Sequence, residues 1–302
     1  MGYIFLTASL FAGAIKGYCG ERISGKTSNV QSALSVNFLR MLFCIAIGFL
    51  FVLFDGGAQG LRVNGEMLGI AVCGAVSTSA FLVSWLLAVR SSAYMSVEAF
   101  VAMGLLVPIL MSLACYGESV RISQALGLGL LICSVIAMSL YNNQVKRKLT
   151  WKTLLLLALV GLSSGFADFS QKLFVKNAQG ETASVFNFYL YVFSAVILGA
   201  VYGICRVRER KTTTERTPFL QDKRTLCRVA VMATCLVCNS YFKTLAADRL
   251  SAVQLYPLSQ GAALILSFLM STFLFKQKPK LLSVIGITVL FIGLLFINVF
   301  TF

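Results

Sequence analysis

Histidine is absent from the 302-residue sequence, and charged residues of any kind are scarce. Without histidine, the chain cannot build a histidine metal site, a histidine proton relay or a Ser-His or Cys-His hydrolase centre. Charged residues make up 12% of the sequence, against the roughly 25% that is usual in soluble domains. Hydrophobic residues make up 58%, and the mean hydropathy is +0.84. This composition excludes an ordinary soluble domain and predicts an integral, multi-pass membrane protein.

Apolar runs fill most of the sequence, and most of them approach or exceed the ~20 residues that a helix needs to cross hydrocarbon. They do not alternate as the strands of a membrane β-barrel would. The sequence therefore predicts an all-α membrane protein with ten transmembrane helices, which we number as segments one to ten. The bounds of the segments are 3–20, 33–54, 67–89, 94–115, 123–141, 152–174, 184–205, 226–247, 251–275 and 281–301.

The second half of the sequence repeats part of the first. Residues 86–134 align with residues 245–293 at a constant offset of 159, with eleven identical positions. Arg90-Ser-Ser-Ala and Arg249-Leu-Ser-Ala fall in matching gaps between apolar runs. Because each half holds five helices, an odd number, the two repeats are inverted relative to each other, as in many secondary transporters.

The domain boundaries follow from this repeat. We assign residues 1–141 to the first five-helix repeat, 142–152 to a basic inter-repeat loop and 153–302 to the second repeat. Within the second repeat, the polar and charged residues at about 206–225 indicate a flexible cytoplasmic linker. A clamp for lipid headgroups is the alternative interpretation of this stretch.

Lysine and arginine are distributed unevenly between the loops. The loops after the odd-numbered segments carry 18 of them, and the loops after segments two, four, six and eight carry 4. The positive-inside rule places the 18-charge loops in the cytoplasm and both termini outside. The basic residues are scattered over short loops, so we expect contacts with membrane lipids and no nucleic-acid partner.

Several motifs in the segments and their junctions resemble those of one transporter family. The junctions read Ser91-Ser-Ala-Tyr and Tyr116-Gly-Glu-Ser-Val, and segments one and six contain Gly13-x-x-x-Gly17 and Gly161-x-x-x-Gly165. With the ten segments and the repeat, these features resemble the drug/metabolite transporter superfamily, specifically its EamA-like branch with ten helices in two repeats. The second copy departs from the pattern, with Lys276-Gln277 in place of Gly117-Glu118.

This resemblance implies a transporter of small polar metabolites. It implies that segments one to four and six to nine line a central cavity, with segments five and ten at the periphery. It also implies that both termini are cytoplasmic, which is the opposite of what the charge count predicts. A lysine late in segment six is frequent in the family, and Lys172 matches it.

Apart from Lys152 and Arg228, which are counted with the loops, six charged residues lie inside apolar segments, where a charge costs at least about 2.5–3.5 kcal/mol unless it faces a cavity or a partner. Arg40 follows Asn37 on the same helical face and is a candidate cavity residue, with snorkelling to the interface as the alternative. Snorkelling is slightly favoured for Lys16. Lys243 lies with Asn239 and Tyr241 on a polar stretch that favours a cavity.

Three further charged residues are candidates for coupling or gating. Asp168 and Lys172 are four residues apart, the spacing of an internal ion pair, which is either structural or a pair that opens when substrate competes. Gln171 adds hydrogen-bonding capacity beside them. Glu98 lies close to the start of its helix, where a carboxylate either caps the helix or takes up a coupling proton.

The predicted site has a substrate-binding set and a coupling or gating set. The substrate-binding residues are Arg40, Asn37, Lys243, Asn239, Tyr241, Trp85, Gln254, Tyr256 and Gln260, and the coupling or gating residues are Glu98, Asp168 and Lys172. No catalytic residue, metal ligand or cofactor is predicted. Cys235-x-x-Cys238 lies in an apolar segment and is interpreted as packing.

Four cations against two acids in the segments favour a substrate with a carboxylate or phosphate. We therefore predict a secondary transporter, not an enzyme, for a small anionic or zwitterionic metabolite of the amino acid, organic acid, nucleoside or sugar-phosphate type. A proton-coupled exporter of lipophilic cations and a lipid-linked sugar flippase are the alternatives. There is no Walker sequence, so an ion or substrate gradient would supply the energy.

Overall fold

The computed structural model describes residues 1–27, 29–56, 61, 63–92, 94–117, 120–140, 150–178, 180–209, 222–276 and 281–298. These residues form helices and their connections, and no strand occurs among them, which confirms the all-α prediction. The helices are α1 (Gly2–Ser24), α2 (Val30–Asp55), α3 (Gly65–Ser91), α4 (Tyr94–Met103), α5 (Leu106–Tyr116), α6 (Ile122–Leu140), α7 (Trp151–Asn177), α8 (Ala183–Glu209), α9 (Lys223–Arg249), α10 (Ala252–Phe273) and α11 (Leu281–Asn298).

Segment four is a broken helix that consists of α4 and α5. Pro108 has no N–H with which to bond the carbonyl of Gly104, and its ring crowds that carbonyl, so the helix is interrupted at this point. The Val107 N–H instead donates to the Gly104 carbonyl at 3.0 Å, one residue short of the α-helical spacing. Gly104 packs directly on the backbone of Gly161 and Gly165 in α7, where a side chain would not fit.

Seven stretches of the described chain are long and apolar enough to cross a membrane. They lie in α2, α3, the α4–α5 pair, α7, α8, α9 and α10. The apolar parts of α6 and α11 are shorter, and α1 has the length of a span but carries Lys16 in its second half. The chain is therefore an integral, multi-pass membrane protein.

The helices pair in a pattern that relates the two halves of the bundle. α1 packs mainly on α9 and α3 mainly on α7, while α2 packs on α8 and α6 on α11. The counterparts in the two halves are α1 and α7, α2 and α8, α3 and α9, and α6 and α11. Exchanging each helix for its counterpart reproduces the same set of pairs. Asn37 of α2 donates to the Leu82 carbonyl of α3 at 3.0 Å, and Asn187 of α8 donates to the Thr244 hydroxyl of α9 at 3.3 Å. The packing is therefore that of two related halves.

Helix caps correct two of the predicted loop boundaries. Thr150 accepts from the Thr153 N–H and caps α7, so the helix begins at Trp151, inside the predicted 142–152 loop. Asp222 caps α9, and α8 continues to Glu209, so both helices extend into the predicted 206–225 linker. Polar composition alone did not reveal these helical ends. Residues 142–149 and 210–221 lie outside the described part of the chain, as do Glu118 and Gln277.

α6 and α11 pack against each other at the side of the bundle. Gly127 and Gly293 allow this, because a Cβ on either would meet the other's carbonyl oxygen at 2.6 Å and 2.9 Å, respectively. Backbones approach this closely in membranes through glycine, since small residues maximise van der Waals contact. The remaining helices are left to surround the centre of the bundle.

Candidate functional site

A cavity of about 150 Å³ lies at the centre of the bundle, between the two halves. Its wall is formed by α1 to α4 and α7 to α10, and no described residue of α5, α6 or α11 belongs to it. A cavity of this kind needs about 10–15 Å³ to hold one water, so the space fits a small solute. The charged side chains in the wall are Lys16, Arg40, Glu98, Asp168 and Lys243.

Arg40 contributes a buried guanidinium to this wall. The residue is 2% exposed, and its Nε and Nη2 have no hydrogen-bond partner among the described residues. It therefore does not snorkel to the interface. Asn37, one turn earlier, is committed to the Leu82 carbonyl and lies outside the cavity wall.

Asp168 is the centre of a network that joins α7, α9 and α10. The Lys243 ammonium donates to its Oδ1 at 2.6 Å, and the Gln260 amide donates to its Oδ2 at 3.0 Å. Tyr256 is fully buried behind the cavity, and its hydroxyl donates to the Asp168 backbone carbonyl at 2.8 Å. Both carboxylate oxygens of Asp168 thus have protein donors.

The predicted Asp168–Lys172 pair is replaced by this network. Lys172 is buried, and its ammonium donates to the carbonyls of Ala247 at 3.4 Å and Leu250 at 3.0 Å. These carbonyls belong to the C-terminal end of α9, where helical carbonyls lack intrahelical donors and attract a cation. Lys172 therefore ties α7 to the turn between α9 and α10.

Glu98 of α4 and Trp85 of α3 are joined by a hydrogen bond in the cavity wall. The Trp85 indole N–H donates to Glu98 Oε1 at 2.9 Å, so the carboxylate bonds a neighbouring helix. Glu98 lies beyond the first turn of α4, too far along the helix to cap it. Lys16 lines the same cavity and interacts electrostatically with Glu98 and Arg40, which replaces the prediction that it snorkels. Tyr94 packs on Gly17 and holds α1 close.

The other predicted substrate-binding residues divide between the cavity wall and its surroundings. Asn239 lines the cavity, and its amide donates to the carbonyl of Ser9 at 2.8 Å and to its hydroxyl at 2.9 Å. Tyr241 and Gln254 are outside the wall. Each residue rotates the side chain by about 100° around a helix, so Tyr241 points away from its neighbours Asn239 and Lys243.

Gln171 is a cavity residue to which the sequence alone assigned no role in substrate binding. It is 8% exposed, and its Oε1 has no hydrogen-bond partner among the described residues. With Ser164, it lines the cavity on the same face of α7 as Asp168. Ser164 lies four residues before Asp168 and Gln171 lies three residues after it, and this helical spacing places both on that face.

Comparison with known proteins identifies the family. The family model described as "EamA: EamA-like transporter family" matches residues 145–299, just over half of the chain. A solved crystal structure, titled only "Crystal structure of protein", shares the fold: it covers 98% of this chain and 96% of its own, with a TM-score of 0.72 and 14% identity. No curated protein sequence matches. The chain belongs to the EamA-like transporter family, within the drug/metabolite transporter superfamily, and is a membrane transporter of that type.

Proposed function

We propose that this protein is a secondary transporter that carries a small anionic or zwitterionic metabolite through the central cavity by alternating access. The observation that carries this proposal is the buried Arg40 in the cavity wall, which has no carboxylate within ion-pair distance among the described residues. A buried charge without a partner is costly, and a substrate carboxylate or phosphate would satisfy it.

The size and charge of the cavity support this substrate class over the alternatives. About 150 Å³ suits a molecule of amino-acid or organic-acid size better than a lipid-linked sugar. Asp168 is bonded by Lys243 and Gln260, and Glu98 is bonded by Trp85. Because Lys243 neutralises Asp168, Lys16 and Arg40 outnumber the one remaining acid, Glu98, and the wall favours an anion over a lipophilic cation.

The pseudo-symmetric packing supports alternating access, with contacts that would open in turn at the two ends of the bundle. Towards one end, Asp168, Lys243 and Lys172 join α7 to α9. At the other end, Lys26 in the turn after α1 pairs with Asp222 at the start of α9 at 2.6 Å. We assign gating to Asp168 and Lys172, and the uptake of a coupling proton to Glu98.

The orientation in a plasma or inner membrane follows from the loop charges. The Lys26–Asp222 contact joins the basic turn after α1 to the start of α9, which follows the basic stretch 206–225 in the sequence. We propose that this end is cytoplasmic and that both termini are outside, because the positive-inside rule acts on the chain's own charges.

Reconstituted transport tests the proposal. Purified protein in liposomes should take up a labelled amino acid, organic acid or sugar phosphate, and Arg40→Gln should abolish that uptake. Arg249→Gln is the matched control, because Arg249 is exposed and pairs only with the neighbouring Asp248 among the described residues. Unchanged uptake by a folded Arg40→Gln protein, or uptake of cationic dyes alone, would contradict the proposal.

A further inference from the structure

Two cation–π contacts each join one half of the chain to the other. Where α1 ends, the Arg22 guanidinium carbon lies 5.9 Å from the centre of the Phe275 ring, just after α10. Where α7 ends, the Lys176 ammonium lies 5.9 Å from the centre of the ring of Tyr116, the last residue of α5. Both distances are within the roughly 6 Å over which a ring face attracts a cation.

The two contacts lie at opposite ends of the bundle, as their neighbours on α3 show. Asn177, next to Lys176, donates to Glu66 Oε1 in the first turn of α3 at 3.4 Å. Towards the other end of α3, the Trp85 ring packs on Gly20 in the last part of α1, where a side chain would not fit. The two contacts are therefore separated by most of the length of α3, which is about 40 Å for 27 residues.

The internal repeat relates the two contacts to each other. Phe275 and Tyr116 are 159 residues apart, the offset at which the two repeats align. Arg22 and Lys176 are the basic residues in the last turns of α1 and α7, the first helices of the two repeats. Alternating access moves one repeat against the other. Because each contact joins the two repeats at one end, that end opens only if its contact breaks.

Phe275 also connects the Arg22 contact to the wall of the cavity. Its ring stacks on Tyr18 with 5.9 Å between centroids and meets Tyr94 edge-on at 5.6 Å. Tyr94 in turn packs edge-on against Trp85, and both of these side chains line the cavity. The rings thus form a continuous series from the cavity wall to the exposed Arg22, which also lies 5.4 Å from the Tyr18 ring. A route out of the cavity along this series requires Phe275 to move.

A hydrogen bond strengthens the Lys176 contact at the other end. The Tyr116 hydroxyl donates to Asn177 Oδ1 at 2.8 Å, so Tyr116 contacts two consecutive residues of α7. Phenylalanine has no hydroxyl, and Phe275 relies on packing against other rings. The two ends therefore use the same cation–π contact with different support.

We propose that Arg22 with Phe275, and Lys176 with Tyr116, are paired gating contacts that close the two ends of the bundle in turn. Weakening one contact favours opening at its own end and closure at the other. The inference rests on the alternating access of the proposed function and is independent of the substrate class. None of these four residues lies in the cavity wall, so they are positioning residues that act through the movement of the two halves.

Hydrogen exchange of the full-length protein in lipid nanodiscs measures opening at each end separately. Arg22→Gln should speed the exchange of amides in residues 22–27 about two- to fivefold, the effect of losing one exposed cation–π contact. It should also slow exchange in residues 174–178 by a smaller factor, because molecules open at one end are withdrawn from those open at the other. Lys176→Gln should produce the opposite pattern.

Variants of the rings provide a second test and its controls. Phe275→Leu should act as Arg22→Gln does and more strongly, because it also removes the packing on Tyr18. Phe275→Tyr and Arg22→Lys keep the ring and the cation, and both should exchange nearly as the wild type does. Phe273→Leu is the matched control, because Phe273 lies on the same helix and is 73% exposed. It should leave exchange at both ends unchanged.

The sign of the change at the distant end decides between gating and local packing. Faster exchange at the near end alone, in both Arg22→Gln and Lys176→Gln, overturns the inference and leaves the proposed anion transport standing. Reciprocal changes, with the ratio between the two ends restored in the double variant, support it. Arg22 is exposed, so this test holds even if Phe275→Leu does not fold. Reciprocal exchange together with unchanged uptake by Arg40→Gln would remove the anion proposal and keep the gating contacts.

Discussion

Replacing Asp168 by asparagine is expected to destabilise the protein by leaving the Lys243 ammonium buried without its counter-charge. The two side chains are 10% and 9% exposed, and their charged atoms are 2.6 Å apart. Removing one partner of such a buried pair costs about 3–5 kcal/mol, mostly because the remaining charge is uncompensated. The Gln260 contact to Oδ2 allows the asparagine to keep a hydrogen bond, so the lower half of that range is expected.

The pair can be measured by a double-mutant cycle. Lys243→Met removes the ammonium and keeps much of the side-chain volume, so the double variant has neither charge. It should recover much of the stability that each single variant loses, with a coupling free energy of about 1–3 kcal/mol. The free energy of unfolding of the full-length protein in mixed detergent micelles is the quantity to compare among the four proteins.

A second cycle provides the control, because Asp168 and Lys172 are the pair that local spacing predicts. Lys172 bonds the carbonyls of Ala247 and Leu250, so Asp168→Asn and Lys172→Met should be nearly additive. A coupling energy larger for Lys172 than for Lys243 would refute the assignment of the ion pair across α7 and α9.

Two further predictions concern the ends of the bundle. Hydrogen bonds from Lys26, Thr225 and the Arg224 N–H lower the pKa of Asp222 from 3.8 to about 2, so its stabilising contribution is present above pH 4 and is lost as the pH falls through 2. The melting temperature of the wild type should therefore exceed that of Asp222→Asn at pH 6, and the two should converge by pH 2. A difference that persists at pH 2 would contradict this. In intact cells, a tag at the C-terminus should be accessible to an impermeant antibody, whereas Lys26→Cys should react with an impermeant thiol reagent only after the membrane is opened. The reverse pattern would favour cytoplasmic termini.

Much of the fold could be predicted from the sequence, because it depends on free energies that are local to each segment. Transfer of about twenty apolar residues into hydrocarbon is favourable wherever the run occurs, so hydropathy located the helices. The repeat at an offset of 159 indicated two related halves before any contact was known. The break at Gly104 also has a local cause, the proline four residues later, yet an apolar run of normal length concealed it.

The candidate site is formed by contacts between residues that are far apart in the sequence, and no local sequence pattern predicts such contacts. Charge in the segments drew attention to Arg40, Asp168 and Lys243, which line the cavity, because a charge in hydrocarbon needs a cavity or a partner. The partner of Asp168, however, lies 75 residues away on α9, while a lysine four residues away offered the obvious local pairing. Helical spacing places side chains on a common face but does not say which face turns inward.

The order of amino acids therefore determined the membrane environment, the approximate helices and the presence of two halves. The packing of those halves determined that Tyr241 and Gln254 lie outside the cavity, that Lys16 lies inside it, and that Arg40 and Gln171 keep buried atoms unbonded by the described residues. The physical reason is that hydropathy is a property of each segment alone. Ion pairing and burial instead depend on which helices meet, and here helices distant in the chain meet between the two repeats.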